Sequence, residues 1–338
     1  MNRYLVRSSD ASSFFESFLV AAVSSFLAIR FFLALTGYPQ IGGNGLHIAH
    51  MLWGGLLMLV GILLLISYLD RGVHHIAAVI GGVGFGIFID EIGKFLTSDN
   101  DYFFQPAVAL IYVLFVVLFL VVRTIVGRHQ LDRTESLANA LDLVQSTIGR
   151  AIEPDDRTRI RRLLDGADPE SPLVRDLGRY LDSLPRTPDV QSPIERIVSR
   201  LGHAYQRLVA NDWFERGVVV FVIAYTVAAI VGVLAVTFAI GDRETSTVVV
   251  AQAVSTGIGV ALILRGVVSL RTSRIEAYHW FMRGLLVWIL VSQVFVFYSS
   301  QLAGLGGLAI DLAAYGTLRF AIRHEGEADE EAVVPAPA

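Results

Sequence analysis

The sequence predicts an all-α, polytopic integral membrane protein: about eight transmembrane helices in two four-helix blocks, with a small helical cytoplasmic insertion between them. Three observations carry that expectation. Of 338 residues, 54% are hydrophobic and only 17% charged, and the mean hydropathy is +0.58, too apolar for a chain that must keep its surface wet. Apolar runs recur at the roughly 20-residue length a helix needs to cross about 30 Å of hydrocarbon. Arginines gather in alternate connections, as the positive-inside rule requires.

The runs fall at 13–36, 46–69, 73–97 and 103–127, then at 214–240, 246–270, 275–299 and 302–322. The first contains Glu16 and Arg30 and exceeds the short core of a cleavable signal, so it is expected to be a retained span. With the N-terminus inside, Arg3, Arg7, Arg71, Arg128, the Arg-rich middle, Arg271, Arg274 and Arg323 all fall on one side, and the other side holds Arg243. Both termini are therefore expected in the cytoplasm, with the protein multi-pass in the plasma membrane. The expected domains are 1–128, 129–212, 213–322 and a disordered acidic tail at 323–338. A short likeness between "SFFES" and "DWFER" before the first and fifth spans suggests a parallel repeat of the two blocks.

Residues 129–212 are polar with helical periodicity. Ser171 and Pro172 form a start signal ahead of an apolar stripe of Leu173, Leu177, Tyr180, Leu181 and Leu184, which Pro185 ends. Ser192, Pro193 and Glu195 repeat the device as a capping box, giving a unit of about four helices. It carries no glycine-rich phosphate loop and no nucleophile with a base, so a structural or partner-binding role is expected. The net charge of -4 and the scattered arginines leave no nucleic-acid surface, and the absence of cysteine excludes disulfides and thiolate chemistry.

Candidate site residues stand out because ionisable groups inside a span are costly. Arg30, Asp90, Glu91 and Lys94, the chain's single lysine, are expected at one depth with His47 and His50, and with Tyr102 and Gln105 at the outer start of the fourth span. In "GGVGFGIFIDEIGKF", Gly82 and Gly86 form a small-residue ridge that Asp90 continues, so Asp90 should face a neighbouring helix; Glu91, about 100° away, needs a different partner. In the second block, Arg283 and Asp311 are candidates for an intramembrane ion pair, and Tyr278, Trp280 and Trp213 for an inner-interface aromatic belt.

Three functions suit this pattern. The first is transport or permeation of an ion or small charged solute, with Asp90, Glu91 and His50 titrating and Arg30 and Lys94 setting the local charge. The second is a membrane enzyme acting on a lipid or envelope precursor, in which a divalent metal, the one cofactor the sequence admits, sits on His47, His50 and Glu91. The third is a scaffold or sensor whose output is the cytoplasmic helical unit. Expected partners are the lipid bilayer, the solute, and a second copy of the chain or a cytoplasmic protein. The plain alternative to all three is a packing site in which opposite charges neutralise one another.

Overall fold

The computed structural model describes residues 6–37, 49–96, 104, 106–126, 131–146, 148, 154–184, 212–240 and 247–333. Every regular element among them is helical, and no strand occurs among the described residues. Six stretches are long and apolar enough to cross a membrane: Ala11–Thr36, His50–Ser67, Arg71–Ile89, Ala107–Thr124, Thr247–Ser269 and Arg274–Ile322. A shorter apolar stretch, Val219–Gly232, lies inside the helix Asp212–Ile240. The chain divides into two compact units, Met1–Phe104 with Leu114–Val190, and Gln105–Val113 with Gln191–Ala338.

In the first unit, α1 (Ala11–Thr36), α2 (His50–Ser67) and α3 (Arg71–Ile89) precede the short α4 (Ile92–Leu96). Helix α3 packs on both α1 and α2, and it does so through glycines on different faces. A Cβ at Gly86 would stand 2.1 Å from the Ala22 carbonyl oxygen of α1, and one at Gly84 would stand 2.6 Å from the Gly54 carbonyl oxygen of α2. In a bilayer, where lipid offers no hydrophobic drive between helices, such close backbone approach is a main source of packing energy. The expected third span, 73–97, is interrupted at Asp90 and Glu91 rather than continuous. Helix α5 (Ala107–Val126) contributes Phe115 to this unit, against Phe26 and Phe85.

Helices α6 (Arg133–Ser146), α7 (Pro154–Asp165) and α8 (Pro172–Ser183) share an apolar core of Ala140, Leu143, Ile160, Leu164, Leu177 and Leu181. Leu177 and Leu181 of the expected stripe are buried, whereas Leu173 and Tyr180 are exposed. Helix α6 starts on a capping box that escaped the sequence reading: the Glu135 N–H donates to Asp132 Oδ1 at 2.7 Å and the Asp132 N–H to Glu135 Oε2 at 3.0 Å. The box at Ser192, Pro193 and Glu195 lies outside the described residues.

In the second unit, α9 (Asp212–Ile240), α10 (Thr247–Ser269) and α11 (Arg274–Val287) lead into a π-helical turn, Trp288–Ser292. Then come α12 (Gln293–Ser300), a 3₁₀ turn at Gln301–Gly304, and α13 (Leu305–Val333). The chain breaks at Gln301, whose φ is 45°, and α13 packs back on α11. The core holds Val222, Ile263, Tyr278, Phe281, Leu285 and Leu318. Tyr278 is therefore a core residue, 2% exposed, rather than part of an interfacial belt. The acidic segment expected to be disordered continues α13 as far as Val333, consistent with its run of alanine and glutamate, both good helix formers.

Candidate functional site

Five of the residues expected to converge do so at the end of α3. The break after Ile89 turns Asp90 and Glu91 inward, and they are 0% and 1% exposed. Arg30 reaches across from α1, its Nε donating to Asp90 Oδ1 at 2.5 Å and its Nη2 to the Asp90 carbonyl oxygen at 3.0 Å. His50, the first residue of α2, sets Nε2 3.1 Å from Asp90 Oδ2 and Nδ1 3.8 Å from Glu91 Oε2. Lys94 pairs with Glu91 one turn earlier, not with Asp90. The Met51 N–H donates to Glu91 Oε2 at 3.2 Å, so Glu91 also serves as the anion at the N-terminus of α2, where the helix dipole favours it.

The two acids thus take different partners, as their angular separation requires, and every charge in the cluster faces an opposite one. Among the described residues no group of three or more His, Asp or Glu side chains is arranged to hold a metal ion. His47, Tyr102 and Gln105 lie outside the described residues, and with His47 goes any geometry for the set His47, His50 and Glu91.

At the other end of the α1–α3 pair a second network forms. The Asp10 carboxylate takes the guanidinium groups of Arg71, the first residue of α3, and of Arg159 on α7. Arg7 donates to Glu135 through Nε at 2.8 Å and Nη2 at 2.7 Å, and the Ser9 N–H donates to Asn139 Oδ1 at 2.7 Å. These bonds from Arg7, joined by the Asp132 N–H, hold the Glu135 carboxyl well below its usual range, at about 2.

The second unit corrects one expectation and adds a feature. Arg283 does not pair with Asp311 among the described ion pairs; its guanidinium lies 4.5 Å from the centroid of the Trp280 ring, and Arg265 from α10 lies equally close. Trp280 stands at i−3 from Arg283, so the cation folds back along its own helix onto an aromatic face. Asp311, 3% exposed, has Oδ1 without a hydrogen-bond partner, with the Tyr225 hydroxyl within bonding reach of the carboxylate. This carboxylate lines a cavity of about 440 Å³ together with Tyr225, Thr256, Trp288, Ser292 and Gln293.

The π-helical turn builds one wall of that cavity. Ser292 donates to Ser255 Oγ at 2.9 Å, Gln293 Nε2 to the Gly304 carbonyl at 2.8 Å, and Trp288 Nε1 to the Thr256 carbonyl at 3.1 Å. Gly259 makes room for the Trp288 indole, since a Cβ there would stand 2.1 Å from Nε1. Of this set, only Asp311 stood out in the sequence. The rest are ordinary serine, threonine, glutamine and aromatic residues, and only the convergence of three helices on Asp311 singles them out. Comparison with known proteins finds no matching family model, no matching curated protein and no matching solved structure.

Proposed function

We propose that this chain is a multi-pass plasma-membrane protein that transports, or allows the permeation of, an ion or small charged solute. In this reading eight helices cross the bilayer in two four-helix blocks, both termini are cytoplasmic, and α6–α8 belong to a cytoplasmic insertion. The observation that supports it is Asp311: a buried carboxylate with an oxygen lacking a partner, beside a polar-lined cavity among apolar helices. An acid at the centre of a spanning helix costs about 2.5–3.5 kcal/mol on insertion scales, and an apolar residue there would avoid that cost. The cluster around Asp90 and Glu91 has its charges matched internally, which favours a clamp between α1, α2 and α3 over a solute site.

Cation flux into proteoliposomes tests this. Wild-type protein should carry flux that falls at least tenfold in Asp311→Asn, while the apolar double variant Arg30→Met/Asp90→Leu keeps it. Flux indifferent to Asp311 would overturn the reading.

A second reading, a scaffold or sensor acting through the α6–α8 unit, is favoured by the network of Arg7, Asp10, Glu135 and Arg159, which fastens that unit to the start of α1. It requires a cytoplasmic partner that co-purifies with the wild type and is lost from Asp10→Ala/Glu135→Ala.

A further inference from the structure

We infer that the cavity of the second unit is a binding site for a small organic cation carrying a single ammonium group, with Asp311 as its counter-ion. This deepens the transport reading by naming the solute class, and the binding can be tested without any flux.

Size comes first. At about 440 Å³ the cavity falls in the range of small-molecule pockets, roughly 300–1,000 Å³, and far exceeds the ~30 Å³ share of one water. A proton or a bare metal ion needs no such volume.

Charge comes second. Among the described lining residues Asp311 is the one acid, and none of them is Lys, Arg or His. An anion would meet a buried carboxylate with nothing to offset it. Calcium or magnesium prefers six or more oxygen ligands and zinc wants several His, Cys or carboxylate ligands, whereas the described wall offers a single carboxylate and no His. A monovalent cation neutralises the site one to one, and the partnerless Oδ1 supplies the acceptor that an N–H of an ammonium requires.

The remaining wall sets the shape of the solute. Tyr225 and Trp288 meet edge to face with centroids 5.5 Å apart, and both line the cavity. Electron-rich rings beside a carboxylate suit a desolvated ammonium, which they attract through their quadrupoles. Ala229, Gly232, Ala253 and Val296 give apolar surface for a hydrocarbon or aromatic body. Polar groups at Ser292 and Gln293 are already bonded to Ser255 and Gly304, so they hold the wall in shape. An amphipathic amine uses the carboxylate, the rings and the apolar wall together; a hydrated inorganic ion uses only the first.

The test is calorimetric titration of the full-length protein in detergent with benzylammonium, its neutral isostere benzyl alcohol, and sodium. Saturable binding of benzylammonium, at least tenfold tighter than benzyl alcohol and at least tenfold weaker in Asp311→Asn, is the expected result. Equal affinity for the amine and the alcohol, or affinity unchanged in Asp311→Asn, overturns the inference. Should that variant fail to fold, Gly307→Phe serves instead: Gly307 lines the cavity and a Cβ there meets only the Tyr225 hydroxyl, at 3.9 Å, so the ring is directed toward Tyr225 and should abolish binding. Unchanged binding in Gly307→Phe would place the amine elsewhere and overturn the site. Flux of an inorganic cation by a protein that binds no benzylammonium would sink the solute class and leave transport standing. Tight amine binding with no flux of any cation would do the reverse.

Discussion

Arg30 of α1 and Asp90 at the end of α3 meet with Nε 2.5 Å from Oδ1, and at the opposite end of the same helix pair Asp10 and Arg71 meet with acid and base exchanged between the helices. The two locks lie 20 residues apart on α1 and 19 apart on α3, about 30 Å at a 1.5 Å rise, which is the thickness of a hydrocarbon core. In the transmembrane arrangement proposed above, that spacing would set each lock at a boundary of the hydrocarbon, off the lipid tails. A one-turn slip of α1 against α3 would break both locks at once, so they fix the register that the glycine contacts between them require.

Removing one partner of a buried pair leaves the other unpaired, at a cost of about 3–5 kcal/mol, whereas replacing both with apolar groups is often neutral. Arg30→Met alone and Asp90→Leu alone should therefore each be strongly destabilising, and the double variant should recover most of the loss. Thermal unfolding in detergent, arranged as a double-mutant cycle, reads this directly. Additive losses would show that the pair contributes nothing as a pair.

Glycine packing gives a sharper contrast within one bundle. At Gly86 a Cβ would stand 2.1 Å from both the Ala22 carbonyl and Ser25 Oγ, whereas at Gly55 it meets nothing within 4 Å. Gly86→Ala should cost about 1–3 kcal/mol through overpacking, despite the gain in helix propensity. Gly55→Ala should be neutral or stabilising by up to about 1 kcal/mol. If the two variants unfold at the same temperature, α1 and α3 are not in backbone contact.

How much of this was visible in the chain follows from which forces leave a periodic trace. Hydrocarbon thickness imposes a run length, so the expected runs overlap the observed helices, although the third helix ends at Ile89 rather than 97 and the last extends to Val333 rather than 322; the cost of a buried charge marked Arg30, His50, Asp90, Glu91 and Lys94. Partner choice was partly legible: the angular offset of Glu91 from Asp90 required separate partners, but Lys94 at i+3 rather than i+4 depended on the helix breaking after Ile89. Arg283 and Asp311 were wrongly joined because depth along a span says nothing of azimuth, and Trp280 one turn away offered a nearer partner. The cavity was invisible, because the π-helical turn that aims Ser292 and Gln293 at it carries no residue pattern of its own.

Glu135 should make the docking of α6 depend on acid. Hydrogen bonds from Arg7 and the Asp132 N–H hold its carboxyl at about 2, below the unfolded value near 4.5. Because the folded value is the lower one, the stabilisation is fully present above about pH 4.5 and is lost as the pH falls toward 2. Protection of the α6 amides, taken as hydrogen exchange relative to the intrinsic rate at each pH, should fall over that window in the wild type. Glu135→Gln should show lower protection already at neutral pH and little further change on acidification; an identical acid profile of protection in both proteins would assign the transition to another group.

Tyr112 tests the π-helical turn itself. Widening the helix at Trp288–Ser292 removes a carbonyl from the regular ladder, and the Tyr112 hydroxyl of α5 donates to the carbonyl oxygen of Ile289. Tyr112→Phe keeps the ring against Phe297 but leaves that buried oxygen without its donor, at a cost of about 1–3 kcal/mol. Tyr298→Phe, at a 38% exposed position, should stay within about 0.5 kcal/mol of the wild type. If the turn relaxes to α-helix to regain its bond, Ser292 and Gln293 rotate relative to Asp311, so Tyr112→Phe should also weaken benzylammonium binding although Tyr112 does not line the cavity. A variant that loses stability but binds the amine as the wild type does would show that the turn serves packing alone.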